Sequence, residues 1–129
     1  MRLLLDTHTA IWTLVSASTI PAEIHGIISD PENDVFVSTV SLWEIAIKFR
    51  LRGRRRMPLS AIEALNHFRR TGYGILEISA EHAIAVESLD LQHTDPFDML
   101  ILAQAVTEPL RLVTKDRKLA RYSDAVISW

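Results

Sequence analysis

The stretch LLLDTH, residues 3–8, places three consecutive leucines directly before an aspartate, a threonine and a histidine. A short apolar run of this kind is typical of a strand that is buried on both faces of a sheet. In proteins that alternate strands and helices, the chemistry lies beyond the carboxyl ends of the strands. Asp6, the first polar residue after the run, is therefore the first candidate functional residue.

Similar apolar runs recur along the chain and are separated by longer, helix-like stretches. Further strands are expected at residues 35–37, 75–78, 110–113 and 126–128, and helices at 9–16, 21–28, 40–51, 60–70, 79–89, 95–107 and 117–122. Ser60 followed by Glu63 has the pattern of a capping box at a helix start. Because alternating strands and helices require crossover connections, the sequence predicts an α/β fold with a mostly parallel sheet covered on both faces.

The composition limits the classes of protein to consider. The chain has 129 residues, and we treat residues 1–129 as a single domain. With 48% hydrophobic and 23% charged residues it can form a core without cross-links. The absence of cysteine excludes disulfides, thiolate metal sites and a cysteine nucleophile. Four glycines and no glycine-rich loop argue against nucleotide binding of the P-loop or Rossmann type. The net charge of -2 neither requires nor excludes a nucleic-acid partner.

The amino terminus does not read as a targeting or membrane segment. Asp6 and His8 interrupt the apolar stretch that a signal peptide would need. The chain also lacks a run of about eighteen apolar residues that could span a membrane. We therefore expect a cytoplasmic protein.

Acidic residues from four distant segments are expected near one edge of the sheet. Asp6 follows the first strand and Asp116 follows the fourth. Asp98 lies in the first turn of the helix that begins after Asp95, and Glu44 interrupts the most apolar helix of the chain. Together they suggest a convergent acidic site.

Each of these acids also has a purely structural interpretation. A strand-end aspartate can form a turn, an aspartate before a helix can cap it, and an acid in a first turn favours the positive helix end. On these grounds Asp6 could be a turn former, Asp95 and Asp116 caps, and Asp98 a first-turn acid. Glu44 could be a surface residue paired with Lys48 four residues on.

A convergent set of carboxylates would favour a bound divalent cation. Two carboxylates 4 Å apart repel each other by about 4 kcal/mol at an effective dielectric constant near 20. Such a cluster is tolerated when a cation is bound or when some groups are protonated. Oxygen ligands without cysteine or a histidine pair suit Mg²⁺ or Mn²⁺, which promote phosphodiester hydrolysis.

Four motifs carry a family resemblance. They are LLLDTH at 3–8, STVSLWEI at 38–45, HTDPFDMLILAQA at 93–105 and LVTKD at 112–116. In this order they resemble PIN-domain ribonucleases, and among them the VapC-type toxins of bacterial toxin–antitoxin pairs. The resemblance covers essentially the whole chain. It implies a three-layer α/β/α sandwich with a five-stranded, mostly parallel sheet.

The resemblance also implies an activity and its residues. Asp6, Glu44, Asp98 and Asp116 match the metal-site acids of the family, and Thr114 matches a hydroxyl that helps to position water or a ligand. Asp95 and Thr7 are adjacent residues with supporting roles. The implied protein is a Mg²⁺- or Mn²⁺-dependent endoribonuclease toxin that cleaves structured RNA, such as transfer RNA, by metal-activated water. Its implied partners are a separately encoded antitoxin and a second copy of itself.

Six positive charges are concentrated after the acidic helix residue: Lys48, Arg50, Arg52, Arg54, Arg55 and Arg56. They could belong to a solvated helix end and a basic loop at 52–57. They could contact RNA phosphates beside the acidic site without reading sequence. They could also dock an acidic segment of a partner protein.

Two other functional classes remain open on the sequence. One is a phosphotransfer domain of the receiver or haloacid-dehalogenase type, although residues 6–8 read DTH where the latter has two aspartates. The other is a non-catalytic partner-binding module whose acids serve as caps. The tryptophans, Trp12, Trp43 and Trp129, are interpreted as core or interface residues, and His8 and His93 as structural.

Overall fold

The computed structural model describes residues 1–90, 92 and 95–129. His93 and Thr94, the first two residues of the third motif, lie outside the described residues. The described strands are β1 (Arg2–Leu5), β2 (Asp34–Ser38), β3 (Gly74–Leu76), β4 (Arg111–Thr114) and β5 (Ile127–Ser128). The described α-helices are α1 (Thr7–Val15), α2 (Ala22–Ser29), α3 (Thr39–Arg52), α4 (Ala61–Thr71), α5 (Ala80–Ala85), α6 (Pro96–Thr107) and α7 (Arg117–Ala120).

The predicted five-stranded α/β architecture is confirmed. The strand order is β3-β2-β1-β4-β5, and every strand pair in the described residues is parallel. The order places β1 at the centre, with β2 on one side and β4 on the other. The chain therefore builds one half of the sheet outward from β1 and then returns to build the other half.

The three leucines of β1 contribute to both faces of the sheet. Leu3 and Leu5 belong to one buried cluster, and Leu4 belongs to the other. Successive side chains of a strand point to opposite faces, so a continuous apolar run is what a strand covered on both sides requires. All three side chains are fully buried. The predicted three-layer sandwich follows from this pattern.

Local capping explains where several helices begin. The capping box between Ser60 and Glu63 is confirmed at the start of α4. Helix α1 begins at Thr7 rather than at residue 9, because the Asp6 side chain accepts a hydrogen bond from the Thr9 N–H and caps the helix directly after β1. Asp6 therefore ends a strand and starts a helix at the same position.

Several other predicted boundaries also differ from the structure. In place of one helix at 79–89, the α-helix ends at Ala85 and a 3₁₀ turn follows over Val86–Ser88. The Leu89 N–H donates to the Val86 carbonyl and closes that turn. The basic loop expected at 52–57 begins one residue later, since Arg52 is the last residue of α3. Gly53 ends that helix with a φ of 66°, a conformation that glycine adopts without strain. In the described part of the chain, no helix is both long and apolar enough to cross a membrane.

Candidate active site

The carboxyl ends of β1 and β4 lie side by side at the centre of the sheet. From β1 the chain proceeds toward β2 on one side, and from β4 it proceeds to β5 on the other. A crevice forms at such a switch point in a parallel sheet. The Asp6 N–H donates to the Val113 carbonyl over 3.1 Å. This hydrogen bond attaches the residue that follows β1 to β4.

Asp6 is held at this edge by two hydrogen bonds to its carboxylate. Its Oδ1 accepts from the Thr9 N–H over 2.9 Å, and its Oδ2 accepts from the Thr114 hydroxyl over 2.5 Å. Only 8% of the residue is exposed. Burial raises the pKa of Asp6, and the hydrogen bonds from Thr114 and Thr9 act in the opposite direction. The site thus keeps a carboxylate where its charged form is costly.

Thr114 links two of the acids. Its buried hydroxyl donates to Asp6 and accepts the backbone N–H of Asp116 over 3.0 Å. The Asp116 carboxylate caps α7 by accepting from the Lys118 N–H over 2.9 Å. The capping interpretation of Asp116 is therefore observed, and the same residue also lines the cleft described below.

Helix α6 brings a third acid to the edge. Asp95 caps this helix by accepting from the N–H groups of Phe97 and Asp98, over 2.9 and 3.2 Å. Pro96 occupies the first helical position, where its missing N–H costs nothing. The cap directs Asp95 inward to its own backbone and leaves Asp98, in the first turn, as the acid of this helix that reaches the cleft.

Asp6, Asp98 and Asp116 line one open cleft of about 440 Å³. His8, Trp12 and Lys115 complete its lining. The Lys115 ammonium lies 5.7 Å from the centre of the Trp12 ring. Three acids that are distant in sequence therefore share one surface with a cation and an aromatic ring.

Glu44, the fourth predicted acid, is not among the residues that line this cleft. It is 2% exposed, so its interpretation as a surface residue is wrong, although its pairing with Lys48 is observed at 2.5 Å. Its other oxygen, Oε1, is buried and has no hydrogen-bond partner among the described residues. One turn earlier in α3, the Ser41 hydroxyl accepts from Thr7 over 2.9 Å, which ties α3 to the start of α1.

The residue types around the cleft can be tested against a divalent ion. The acids and Thr114 offer oxygen atoms, the donors that Mg²⁺ and Mn²⁺ prefer. The buried Oε1 of Glu44 is a further oxygen that could coordinate an ion, since it has no hydrogen-bond partner in the described part of the chain. Among residues 1–90, 92 and 95–129, no group of three or more acidic or histidine side chains is arranged to hold a metal ion. The residue types therefore suit such an ion. In the described residues, however, their side chains are not arranged to coordinate one.

A buried polar network between Ser38, His82 and Gln104 was not predicted. The Ser38 hydroxyl, which caps α3, donates to the Gln104 side chain in α6 over 2.5 Å. Gln104 in turn approaches His82, whose Nε2 lies 2.5 Å from a carboxylate oxygen of Glu108. Nothing in the sequence spacing connects these positions. The network joins the helix that carries Glu44 to the helix that carries Asp98.

The predicted basic residues have different environments. Arg54 is occupied by an ion pair with Glu63 at 2.9 Å and lies 5.2 Å from the centre of the Phe49 ring. Lys48 is paired with Glu44. Arg50 is exposed in the last turn of α3. The remaining three, Arg52, Arg55 and Arg56, line one wide groove.

Two cleft residues were missed at the sequence level. His8 was interpreted as structural and Trp12 as a core or interface residue; Trp12 does pack against the core, and both residues also line the acidic cleft, with their rings 5.8 Å apart. The two residues are four apart in α1, the helix that follows Asp6, so they lie on one face of that helix. This spacing could have indicated from the sequence that they lie together near Asp6. Trp43 is 57% exposed beside Phe97, so it is not a core residue.

The chain matches the model of a known protein family. The model of the PIN domain family matches residues 3–125. A comparison with curated proteins gives no match.

Solved structures with the same fold come from bacterial complexes. A chain of VapBC2 from Rickettsia felis, bound to a DNA fragment from its promoter, has a TM-score of 0.74 at 18% identity, covering 100% of this chain and 99% of that one. DNA-bound VapBC from Salmonella typhimurium has a TM-score of 0.71 at 19% identity, with coverage of 100% and 98%. VapBC-1 from nontypeable Haemophilus influenzae has a TM-score of 0.68 at 15% identity, with coverage of 100% and 98%. At these identities the likeness concerns the fold.

Proposed function

The chain belongs to the PIN domain family, and on that premise we propose that it is a metal-dependent endoribonuclease that acts as the toxin of a toxin–antitoxin pair. The observation that carries the proposal is the cleft shared by Asp6, Asp98 and Asp116. Caps alone would not require three acids to face one open surface. A hydrolase that binds a divalent ion does require it, because the ion offsets the mutual repulsion of the carboxylates.

The residues proposed to hold Mg²⁺ or Mn²⁺ are Asp6, Glu44, Asp98 and Asp116. Such an ion, when bound, polarises a phosphoryl oxygen and lowers the pKa of water. Glu44 would have to exchange Lys48 for the ion, and its unpaired Oε1 makes it available for such an exchange. These assignments are proposals that rest on the family and on the chemistry of the donors.

Three neighbouring residues are proposed to orient the acids. Thr114 holds the Asp6 carboxylate and the Asp116 backbone in register, and it is the proposed positioning residue of the reaction. Asp95 keeps the first turn of α6 in place, and Thr7 fixes α1 against α3. Supporting hydrogen bonds of this kind hold ligands in a productive orientation.

The proposed substrate is structured cellular RNA, including transfer RNA. The basic groove formed by Arg52, Arg55 and Arg56 supports this substrate, because guanidinium groups bind backbone phosphates without reading sequence. A nuclease acting on cellular RNA works in the cytoplasm, where we place the protein.

The proposed partners are a cognate antitoxin and a second copy of this chain. The similar folds occur in complexes described as VapBC, and the alignments span almost the whole of both chains. The exposed Trp43, whose ring packs edge-on against the half-buried Phe97, offers apolar surface for such contacts.

Cleavage of purified structured RNA by the full chain tests the proposal. We expect cleavage with Mn²⁺ or Mg²⁺, none with EDTA, and none with Asp6→Asn. Asp34→Asn is the matched control, because Asp34 is exposed at the start of β2, the opposite end of the sheet. Its activity should equal that of the wild type.

Two outcomes would refute the nuclease. Undiminished cleavage by Asp6→Asn would show that the activity does not come from this cleft. Absence of cleavage, together with an added mass of one phosphoryl group after incubation with acetyl phosphate, would favour the phosphotransfer alternative.

A further inference from the structure

A second pocket adjoins the acidic cleft and shares part of its wall. His8 and Trp12 line both the cleft and this pocket, whose volume is about 310 Å³. The cations that line this pocket are Lys48, Arg52 and Arg56. Small-molecule sites begin at about 300 Å³, so one nucleotide unit is of suitable size.

Two of the pocket's cations are available to an external anion. In the part of the chain that the structure describes, neither Arg52 nor Arg56 forms an ion pair, whereas the intervening Arg54 is paired with Glu63. Arg52 and Arg56 also line the wide groove that includes Arg55. A continuous basic path therefore leads away from the acidic cleft. The favourable position of Arg52 near the carboxyl end of α3 does not account for Arg56, which lies outside that helix.

Trp12 marks the junction of the two spaces. It is partly exposed, lines both of them, and has its ring centre 6.3 Å from that of Trp129, which holds it in place. An aromatic ring fixed beside cations is the usual combination in proteins that bind single-stranded nucleic acid, since a base can stack while phosphates are neutralised. Trp12 also lines the cleft that contains Asp6, Asp98 and Asp116.

We propose that this pocket binds one nucleotide of a single-stranded RNA segment next to the phosphate in the acidic cleft. Arg52 and Arg56 contact backbone phosphates, and the base lies against Trp12. This inference rests on the proposed function and specifies the form of its substrate: an unpaired segment of a structured RNA. An acidic peptide could use the same cations, but it would gain nothing from the wall shared with the acidic cleft.

Binding of RNA in EDTA tests the pocket separately from cleavage. The probe is a fluorescent single-stranded oligoribonucleotide of about eight nucleotides, within the usual site size. The readout is its anisotropy with the full chain over a range of salt concentrations. Loss of two charge-assisted contacts in Arg52→Ala/Arg56→Ala should weaken binding by about ten-fold or more. The slope of log affinity against log salt should fall by about 1.4, or about 0.7 for each phosphate contact on a single strand.

Arg70→Ala is the matched control. Arg70 is an exposed arginine in the last turn of α4, as Arg52 is in the last turn of α3, and it lines neither space. Its affinity and salt slope should match those of the wild type. Thermal unfolding of the double variant shows whether its fold is intact, and exposed arginines should be replaceable without loss.

A second probe tests the base contact. An oligomer of the same length with abasic ribose units has the same charge but nothing to stack, so it should bind more weakly than the normal oligomer. Equal affinity for the two oligomers would overturn the nucleotide assignment. Wild-type binding by Arg52→Ala/Arg56→Ala would overturn it as well. A glutamate-rich peptide that binds more tightly than RNA, and depends on the same arginines, would assign the pocket to a protein partner instead.

The two proposals can fail separately. RNA binding that depends on Arg52 and Arg56, without any metal-dependent cleavage, would support the nucleotide pocket and refute the nuclease. Metal-dependent cleavage that Asp6→Asn abolishes, with normal RNA binding by Arg52→Ala/Arg56→Ala, would support the nuclease and refute the nucleotide pocket.

Discussion

Thr114 donates a hydrogen bond to Asp6 over 2.5 Å although 108 residues separate them in the chain. The contact is possible because β1 and β4 are adjacent parallel strands that end at the same edge. The same hydroxyl accepts the N–H of Asp116. One buried side chain thus controls the relative position of two acids of the cleft.

Replacing Thr114 with valine, which has the same shape, should lower kcat/KM for RNA cleavage by about 10- to 100-fold, as loss of a supporting partner of a metal ligand usually does. It should also reduce the free energy of unfolding by about 1–3 kcal/mol, because the Asp6 oxygen loses its donor. Kinetics and urea unfolding measure both. Thr114→Ser should restore most of the activity, and equal activity of the valine variant would contradict the positioning role.

Asp6→Asn should make the protein more stable while abolishing cleavage. Because burial raises the pKa of folded Asp6, folding favours its protonated form, and the stability of the wild type falls as the pH rises through that raised value. Asparagine stays neutral, so at pH 7 the variant should gain about 1 kcal/mol, a usual single-site effect. The difference should shrink on acidification.

Melting curves of Asp6→Asn at several pH values, with Asp34→Asn for comparison, measure this effect. The comparison variant removes an exposed acid and should show little change. A variant at position 6 that is less stable than the wild type at pH 7 would mean that the hydrogen bonds of Asp6 outweigh the cost of its burial.

Ser38 and Gln104 should be energetically coupled. Ser38→Ala leaves the buried Gln104 side-chain oxygen without its donor, and Gln104→Leu leaves the Ser38 hydroxyl without its acceptor, each at a cost of about 1–3 kcal/mol. Because both break the same hydrogen bond, the double variant should lose less than the sum of the two single losses. The coupling in a double-mutant cycle is expected at about 0.5 kcal/mol or more. Strict additivity would show that the contact contributes nothing to stability.

Lys48→Met should strengthen Mn²⁺ binding measured by calorimetry. It removes the cation that occupies one oxygen of the buried Glu44, so that carboxylate no longer has to exchange partners. Arg50→Met removes the same charge from the same helix at an exposed position and controls for the general electrostatic effect. If both variants behave alike, Glu44 is not a ligand of the ion.

Glu63 should titrate at unusually low pH. The hydrogen bond from the Ser60 backbone N–H, followed by that from Arg54, lowers the pKa of Glu63 from 4.5 to about 2. The capping stability is therefore present above pH 4.5 and is lost as the pH falls toward 2. Carboxyl NMR titration measures the midpoint. Arg54→Ala should raise it part of the way, and an unchanged midpoint would show that the ion pair does not form in solution.

Local signals in the sequence predicted most elements correctly. The apolar run at residues 3–5 reads as a two-faced strand, and the Ser60–Glu63 pair reads as a helix start, because both depend on neighbours within a few residues. The position of Asp6 after a strand and of Asp98 in a first turn indicated the edge of the sheet where both are found. The start of α1 was misjudged, since Asp6 acts as a cap as well as a strand end.

By itself, the sequence determined the α/β class, the parallel sheet and the arrival of acids at its carboxyl edge, because side-chain periodicity and capping are short-range properties. The tertiary structure decided which acids share a surface. Glu44 lies buried against Lys48, Gln104 links α6 to the start of α3, and Trp12 lines both the acidic cleft and the pocket that contains the arginines. These relationships depend on strand order and helix packing, which bring together residues that no local pattern connects.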